Sequence, residues 1–231
     1  MQFKANDSLS EQIAQHLGQQ IIRGEMLPGD RIQELRITSE LEVSRGSVRE
    51  ALLILQRRHL IDILPRRGAV VKDLSESQVR SLYEIAQVLL GLVVRKAIKV
   101  MKEEDLDVFI ELIHQLSEQA ASRDTQAFFD SSFAFFETLY PYARNDFVED
   151  ILANLDPAIR RAYYMAIHID PDEMKECLGF FKATIETIFR RDVRSALEII
   201  REFAEHQSSL VQESIQRARQ IEAAWGRRKQ R

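Results

Sequence analysis

Glu34-Leu-Arg-Ile-Thr-Ser-Glu-Leu-Glu-Val-Ser-Arg-Gly-Ser-Val-Arg-Glu-Ala-Leu-Leu-Ile-Leu-Gln-Arg-Arg-His-Leu-Ile-Asp-Ile-Leu-Pro-Arg-Arg-Gly-Ala-Val-Val-Lys72 is the stretch whose reading decides the fold. Ile37 and Leu41 lie four apart on one face of a short helix, and Val43-Ser44 marks a turn. Val48, Ala51, Leu52 and Leu55 then repeat at helical spacing. Ser44 stands where an N-cap would satisfy the open backbone donors of the second helix, with Arg45, Ser47 and Arg49 at or just beyond its first turn. The pattern predicts a helix-turn-helix. Beyond it, Leu60-Ile-Asp-Ile-Leu and Ala69-Val-Val71 read as two short strands joined by a tight Pro65-Arg-Arg-Gly68 turn, a wing with two arginines at its tip.

This segment resembles the winged-helix domain of the GntR family of bacterial transcription regulators. Ile32, Glu34, Ile37, Leu41, Val43, Ser44, Arg45, Val48, Arg49, Glu50, Ala51 and Leu52 fit the family pattern in register and without a gap. Glu42 and His59 depart from it, standing where the family commonly has glycine, so turn geometry is open at those two points. The resemblance implies a double-stranded DNA partner with a pseudo-palindromic operator, bound by a homodimer. Arg45, Gly46, Ser47 and Arg49 would then face the major groove, Arg36 a phosphate, and Arg67 with Gly68 the minor groove, with Ser44 at the head of the DNA-binding set.

The charge distribution agrees. The chain of 231 residues has a net charge of -4, but Arg45 to Lys72 carries seven Lys or Arg against Glu50 and Asp62. From Glu76 onward, 21 Lys or Arg face 26 Asp or Glu. A basic patch confined to the proposed reader and wing is the footprint of phosphate contacts. The basic cluster of Arg217, Arg219, Arg227, Arg228, Lys229 and Arg231 reads as a solvated tail. One cysteine, Cys177, excludes an internal disulfide and has no recognisable catalytic partner. No apolar run reaches the roughly 18 residues that span a bilayer, and the N-terminus lacks a signal-peptide core. A cytoplasmic protein with no membrane partner is expected.

Upstream, Leu9, Ile13, Leu17, Ile21 and Ile22 form a helical stripe with Ser8 or Ser10 as its cap, ended by Gly24. In the resembled family the segment up to Ile32 adds a strand to the wing sheet. Residues 1–74 are therefore expected to form the DNA-binding domain, with Asp73-Leu-Ser-Glu-Ser as the boundary. Across 75–231 the helical period repeats over roughly 76–100, 103–121, 125–140, 146–169, 171–190 and 193–224. Breaks fall at Pro141, Asp170-Pro171 and two charged turns, and Pro157 either kinks or restarts its segment. The fold expected is mainly α: a winged helix-turn-helix followed by an antiparallel bundle of six or seven helices.

This second half resembles the ligand-sensing domain of the FadR branch of the same family, on Asp73-Leu-Ser-x-x-x-Val79, Asp130-x-x-Phe133 and Asp192-x-x-x-Ala196. That resemblance implies a small-molecule effector and, in many relatives, a metal held by an Asp, a His four residues later and two further histidines. Here the matching positions are Asp130, Ala134, Phe181 and Phe203, so no metal cofactor is expected. Where relatives that bind organic acids carry an Arg and a Glu, this chain has Ala86 and Leu90. With Phe133 and its neighbours, these positions suggest either an apolar effector cavity, fit for an acyl chain, or a core filled by side chains. His114, His168 and His206 read as surface or satisfied helical histidines. An enzyme finds no phosphate loop or His-carboxylate signature here. A winged-helix protein-interaction module, or a regulator without an effector, is the alternative reading.

Overall fold

The structure, a computed structural model, describes residues 8–168 and 172–229, with side-chain surroundings described as far as Gln220, Ala218 excepted. The chain divides into two compact units. One ends at Leu74 and also takes in Ala153–Ala162; the other comprises Ser75–Leu152 and the chain from Tyr163 onward.

The first unit opens with α1 (Leu9–Ile22). Of its two cap candidates Ser8 is the cap, its hydroxyl accepting from the Glu11 amide, while Ser10 donates to Glu50 at 2.6 Å. β1 (Arg31–Ile32) leads to α2 (Glu34–Leu41) and α3 (Arg45–Arg57). β2 (Ile61–Leu64) and β3 (Gly68–Val71) complete an antiparallel sheet of order β1-β3-β2, with Ile32 opposite Ala69 and Leu64 opposite Gly68. Ile13, Leu17 and Ile21 of α1 pack with Ile37 of α2, Val48, Leu52 and Leu55 of α3, and Ile61, Ala69 and Val71 of the sheet. One core therefore fixes the inner faces of reader and wing and leaves their polar faces outside.

The two departures from the glycine pattern are where the backbone turns left-handed. Glu42 closes α2 at φ 54°, and His59 follows α3 at φ 58°. Both turns keep their geometry without glycine, at the conformational cost of a Cβ in the left-handed region.

The second unit is helical: α4 (Glu76–Val100), α5 (Asp107–Ser122), α6 (Thr125–Leu139), α8 (Glu173–Phe189) and α9 (Val193–Lys229), with both ends of α7 (Asp146–Ile167). Ser75 and Gln78 form a reciprocal capping box at the start of α4. Arg191, itself at φ 57°, donates to the carbonyls of Ile98 and Met101 and so closes the other end of α4.

Several boundaries shift from those expected. The first turn of the segment starting at Glu103 is a 3-10 turn over Glu103–Leu106, and Pro141 opens another over Tyr140–Ala143, each beside an α-helix. α7 continues through Pro157. Its middle, Ala153–Ala162, groups with the first unit and not with the expected 75–231 domain. There the buried Arg161 donates to the Lys72 carbonyl at 2.7 Å, and burial lowers its guanidinium pKa against the opposing pull of Asp73. The expected Asp170-Pro171 break lies outside the described residues.

Candidate nucleic-acid interface and effector site

α3 presents its N-terminal turn to solvent because its cap is made locally. The Ser44 hydroxyl accepts from the Ser47 amide at 3.1 Å, leaving Ser44, Arg45 and Gly46 exposed. Ser47 is half-buried and its hydroxyl lies 2.9 Å from that of Ser44, so it serves the cap as well as the outer face. Arg49 is exposed and donates Nε to Glu34 at 2.9 Å across the two helices. Within α2, Arg36 likewise donates Nε to Glu40, at 2.6 Å. In both, bonding through Nε leaves the terminal nitrogens of an exposed guanidinium as further donors, the kind of paired donor that grips a guanine or a phosphate. Glu40 raises the Arg36 pKa, first through this hydrogen bond.

The wing turn is tight: the Arg67 amide donates to the Leu64 carbonyl at 3.2 Å, with Arg66 at φ 62° and Gly68 at φ 76°. Arg66 and Arg67 are exposed at its tip. A residue missed in the sequence joins them. A Cβ on Gly68 would lie 3.9 Å from the guanidinium of Arg31, so strand pairing brings a third cation to the wing. Two cations counted in the basic patch are structural: Arg58 pairs with Glu11, and Lys72 lies 3.9 Å from Asp62. In the basic tail, Arg217 and Arg219 approach Glu213 and Glu76, while the side chains of Arg227, Arg228, Lys229 and Arg231 lie outside the described residues.

In the helical unit the expected pocket residues separate. Phe133 packs against Phe129, Tyr163 and Phe136; Phe136 packs against Phe181, and Phe180 stacks on Phe203 with centroids 3.7 Å apart. The rings face one another, the arrangement of a filled core. Ala86 is buried, while Ala134 and Leu90 are half-buried. Asp130 must be removed from the set: it is exposed on α6 and accepts from Gln126 at 3.1 Å. Its helical phase, three residues from Phe133 but on the polar edge of the stripe, turns it to solvent.

A polar cluster lies beside these rings. Glu173, at the start of α8, is 1% exposed. One of its oxygens accepts from Gln207 and, at 3.0 Å, from the Cys177 thiol; the other lies 2.9 Å from Nε2 of the half-exposed His206. Tyr163 donates to Cys177 at 3.2 Å. Cys177 therefore has partners that the sequence did not reveal, and His206 is tied to a buried carboxylate. Burial, then the neighbouring Glu173, pushes the Cys177 thiol well above its ordinary range; burial, Cys177 and Glu173 do the same to the Tyr163 and Tyr83 phenols. One signal was visible. Glu173, Cys177, Phe180, Phe181, Thr184 and Ile188 share a buried stripe, and an acid on such a stripe is out of place. Among the described residues, no group of three or more His, Cys, Asp or Glu is placed to hold a metal ion, and no helix is long and apolar enough to cross a membrane.

Known proteins agree with both halves. A family model described as "Bacterial regulatory proteins, gntR family" matches residues 9–71, and one described as "FCD domain" matches residues 81–206. The chain is 28% identical over 227 residues to the HTH-type transcriptional repressor RspR of Escherichia coli K12, covering 97% of this chain and 96% of that protein. It is 26% identical over 169 residues to the gluconate operon transcriptional repressor of Bacillus subtilis, covering 73% and 69% respectively. Among solved structures, E. coli McbR/YncC aligns with a TM-score of 0.78 at 19% identity, covering 90% of this chain and 99% of that one. A GntR regulator from Rhodococcus sp. RHA1 aligns with a TM-score of 0.70 at 20% identity, covering 89% and 98%. The last two likenesses concern the fold.

Proposed function

Because the chain belongs to the GntR family of bacterial regulatory proteins and carries an FCD domain, we propose that this DNA-binding transcription regulator reads a pseudo-palindromic operator as a homodimer. Its homologues and fold neighbours are transcriptional regulators, not enzymes. The single observation that carries the proposal is the exposed, Ser44-capped start of α3, with Arg45 free on its outer face and Arg49 braced by Glu34. Arg45, Gly46 and Arg49 read base edges, Arg36 holds a phosphate, and Arg67 with Gly68 enters the minor groove, with Arg31 beside them.

Homodimerisation is supported by the outer face of α4. Ile85 and Val88 are exposed there, with the half-buried Leu89 and Leu92 completing a stripe at helical spacing, while Gly91 faces Leu197 of α9 on the inner side. The regulator works in the cytoplasm, where its operator is. Mobility shift on genomic fragments of its host tests the reading: a fragment retained at physiological salt in excess competitor DNA supports it. Uniform, sequence-independent retention would favour the winged-helix interaction module. Ultracentrifugation of Val88→Lys supplies the second check, since a dimer interface on this face predicts a monomer.

A further inference from the structure

We propose that the effector of the helical domain is a cation, a primary amine or related ammonium group, lodged against Glu173 and reached through the cleft between α4 and α9. The proposal rests on the reading of this domain as an effector sensor and names the chemistry that it recognises.

Glu173 is a buried carboxylate whose hydrogen-bond partners are His206, Gln207 and Cys177, with no lysine or arginine among them. A carboxylate taken out of water calls for a counter-charge, and here only the imidazole could supply one. Two further polar atoms beside it lack a partner among the described residues. They are the Gln207 carbonyl oxygen, on a side chain 1% exposed, and the Tyr83 hydroxyl, on one 6% exposed. Gln207 belongs to the cluster by its contacts with Glu173 and Cys177, and the Tyr83 phenol has its pKa raised first by burial and then by the nearness of the same two residues. Buried polar atoms are rarely left open in folded proteins.

What these atoms need in common is a donor. An ammonium carries three donors, no acceptor and a positive charge, which suits a carboxylate, an amide oxygen and a phenol oxygen together. A carboxylate effector would instead meet Glu173 as a like charge.

The approach is also in place. A cleft of about 470 Å³ between α4 and α9 is lined by Arg80, Tyr83, Glu84, Gln87, Glu205 and Ser208, among others, with Arg80 bonded to Gln212. Tyr83 belongs to both: it lines the cleft, and its hydroxyl is buried beside the cluster. Since that hydroxyl makes no hydrogen bond, moving the ring aside breaks none; of the cleft's carboxylates Glu205 is paired with Arg201, which leaves Glu84 to offset the charge of Arg80 along the approach.

The test is calorimetric titration of the full chain with pentylamine, pentanol and pentanoate, matched in length. Pentylamine should bind about tenfold or more tighter than the other two, as expected for a charge-assisted bond to a buried acid. Glu173→Gln should remove most of that preference. Should Glu173→Gln fail to fold, Tyr83→Phe keeps the carboxylate and all its partners, removes only the unpaired phenol oxygen, and should weaken the amine by about threefold or more. Equal affinity for the three probes, tighter pentanoate, absence of amine binding, or unchanged amine affinity in a folded variant overturns the proposal. Operator binding is measured on the same preparations without probe. Specific DNA binding with no amine preference overturns the cation alone, whereas its loss in the unmodified chain overturns the regulator reading beneath it.

Discussion

Arg49 and Glu34 show how a single side chain is prepared for DNA. The ion pair at 2.9 Å is exposed and worth little to stability, yet it holds the guanidinium in one orientation before contact. Arg49→Ala should cost about 1–3 kcal/mol of operator affinity with an unchanged melting temperature, and Arg45→Ala should behave likewise. Leu52, buried among α1 and the sheet, should do the reverse: Leu52→Ala lowers unfolding free energy by about 2–5 kcal/mol, read by denaturant titration. At Glu42 and His59 the left-handed backbone predicts gains. Glu42→Gly and His59→Gly should each stabilise the chain by up to about 1 kcal/mol, because removing the Cβ strain outweighs the added freedom of the unfolded chain. A loss of stability on both would mean that their side chains do more than turn the chain.

Among elements, the wing and α4 make separate predictions. Pairing of β1 with β3 sets Arg31 beside Gly68, so the tip carries Arg66 and Arg67 from the turn and Arg31 from the neighbouring strand. Arg67→Ala should weaken binding most at operators with A·T-rich flanks, where a narrow minor groove concentrates negative potential. Equal losses on every flank would make Arg67 a plain phosphate contact. At the end of α4, Arg191 reaches the Ile98 and Met101 carbonyls, a cation on the negative end of a helix of 25 residues. Arg191→Ala should lower stability by about 1–2 kcal/mol, measured as a shift in denaturation midpoint without a change in operator specificity.

For the whole molecule, the charge split matters more than its sum. The acidic excess from Glu76 onward leaves the basic groups of reader and wing as the phosphate footprint, so operator affinity should fall steeply with salt. Removing one phosphate contact, as in Arg36→Ala, should reduce the slope of log affinity against log salt by about 0.9. The helical unit should respond to no chelator. Asp130 is turned outward and Phe181 and Phe203 offer no lone pair, so melting temperature and operator binding are expected to stay constant in excess chelator. Stoichiometric zinc or nickel, with a chelator-induced fall in stability, would overturn that expectation.

The local patterns were legible because their causes are local. Val48, Leu52 and Leu55 at helical spacing, Ser44 before α3 and the short strands around Pro65-Arg-Arg-Gly68 need only neighbours in sequence to act. What the sequence left undetermined depends on the phase of one helix against another. Asp130 turned to solvent, Arg31 arrived at the wing, and Glu173, Cys177, Tyr163 and Gln207 met from three helices separated by up to 44 positions. Periodicity identifies which residues of a helix face inward, but only the packing of all helices together decides which inward residues touch. A buried carboxylate with its partners is a property of that packing alone.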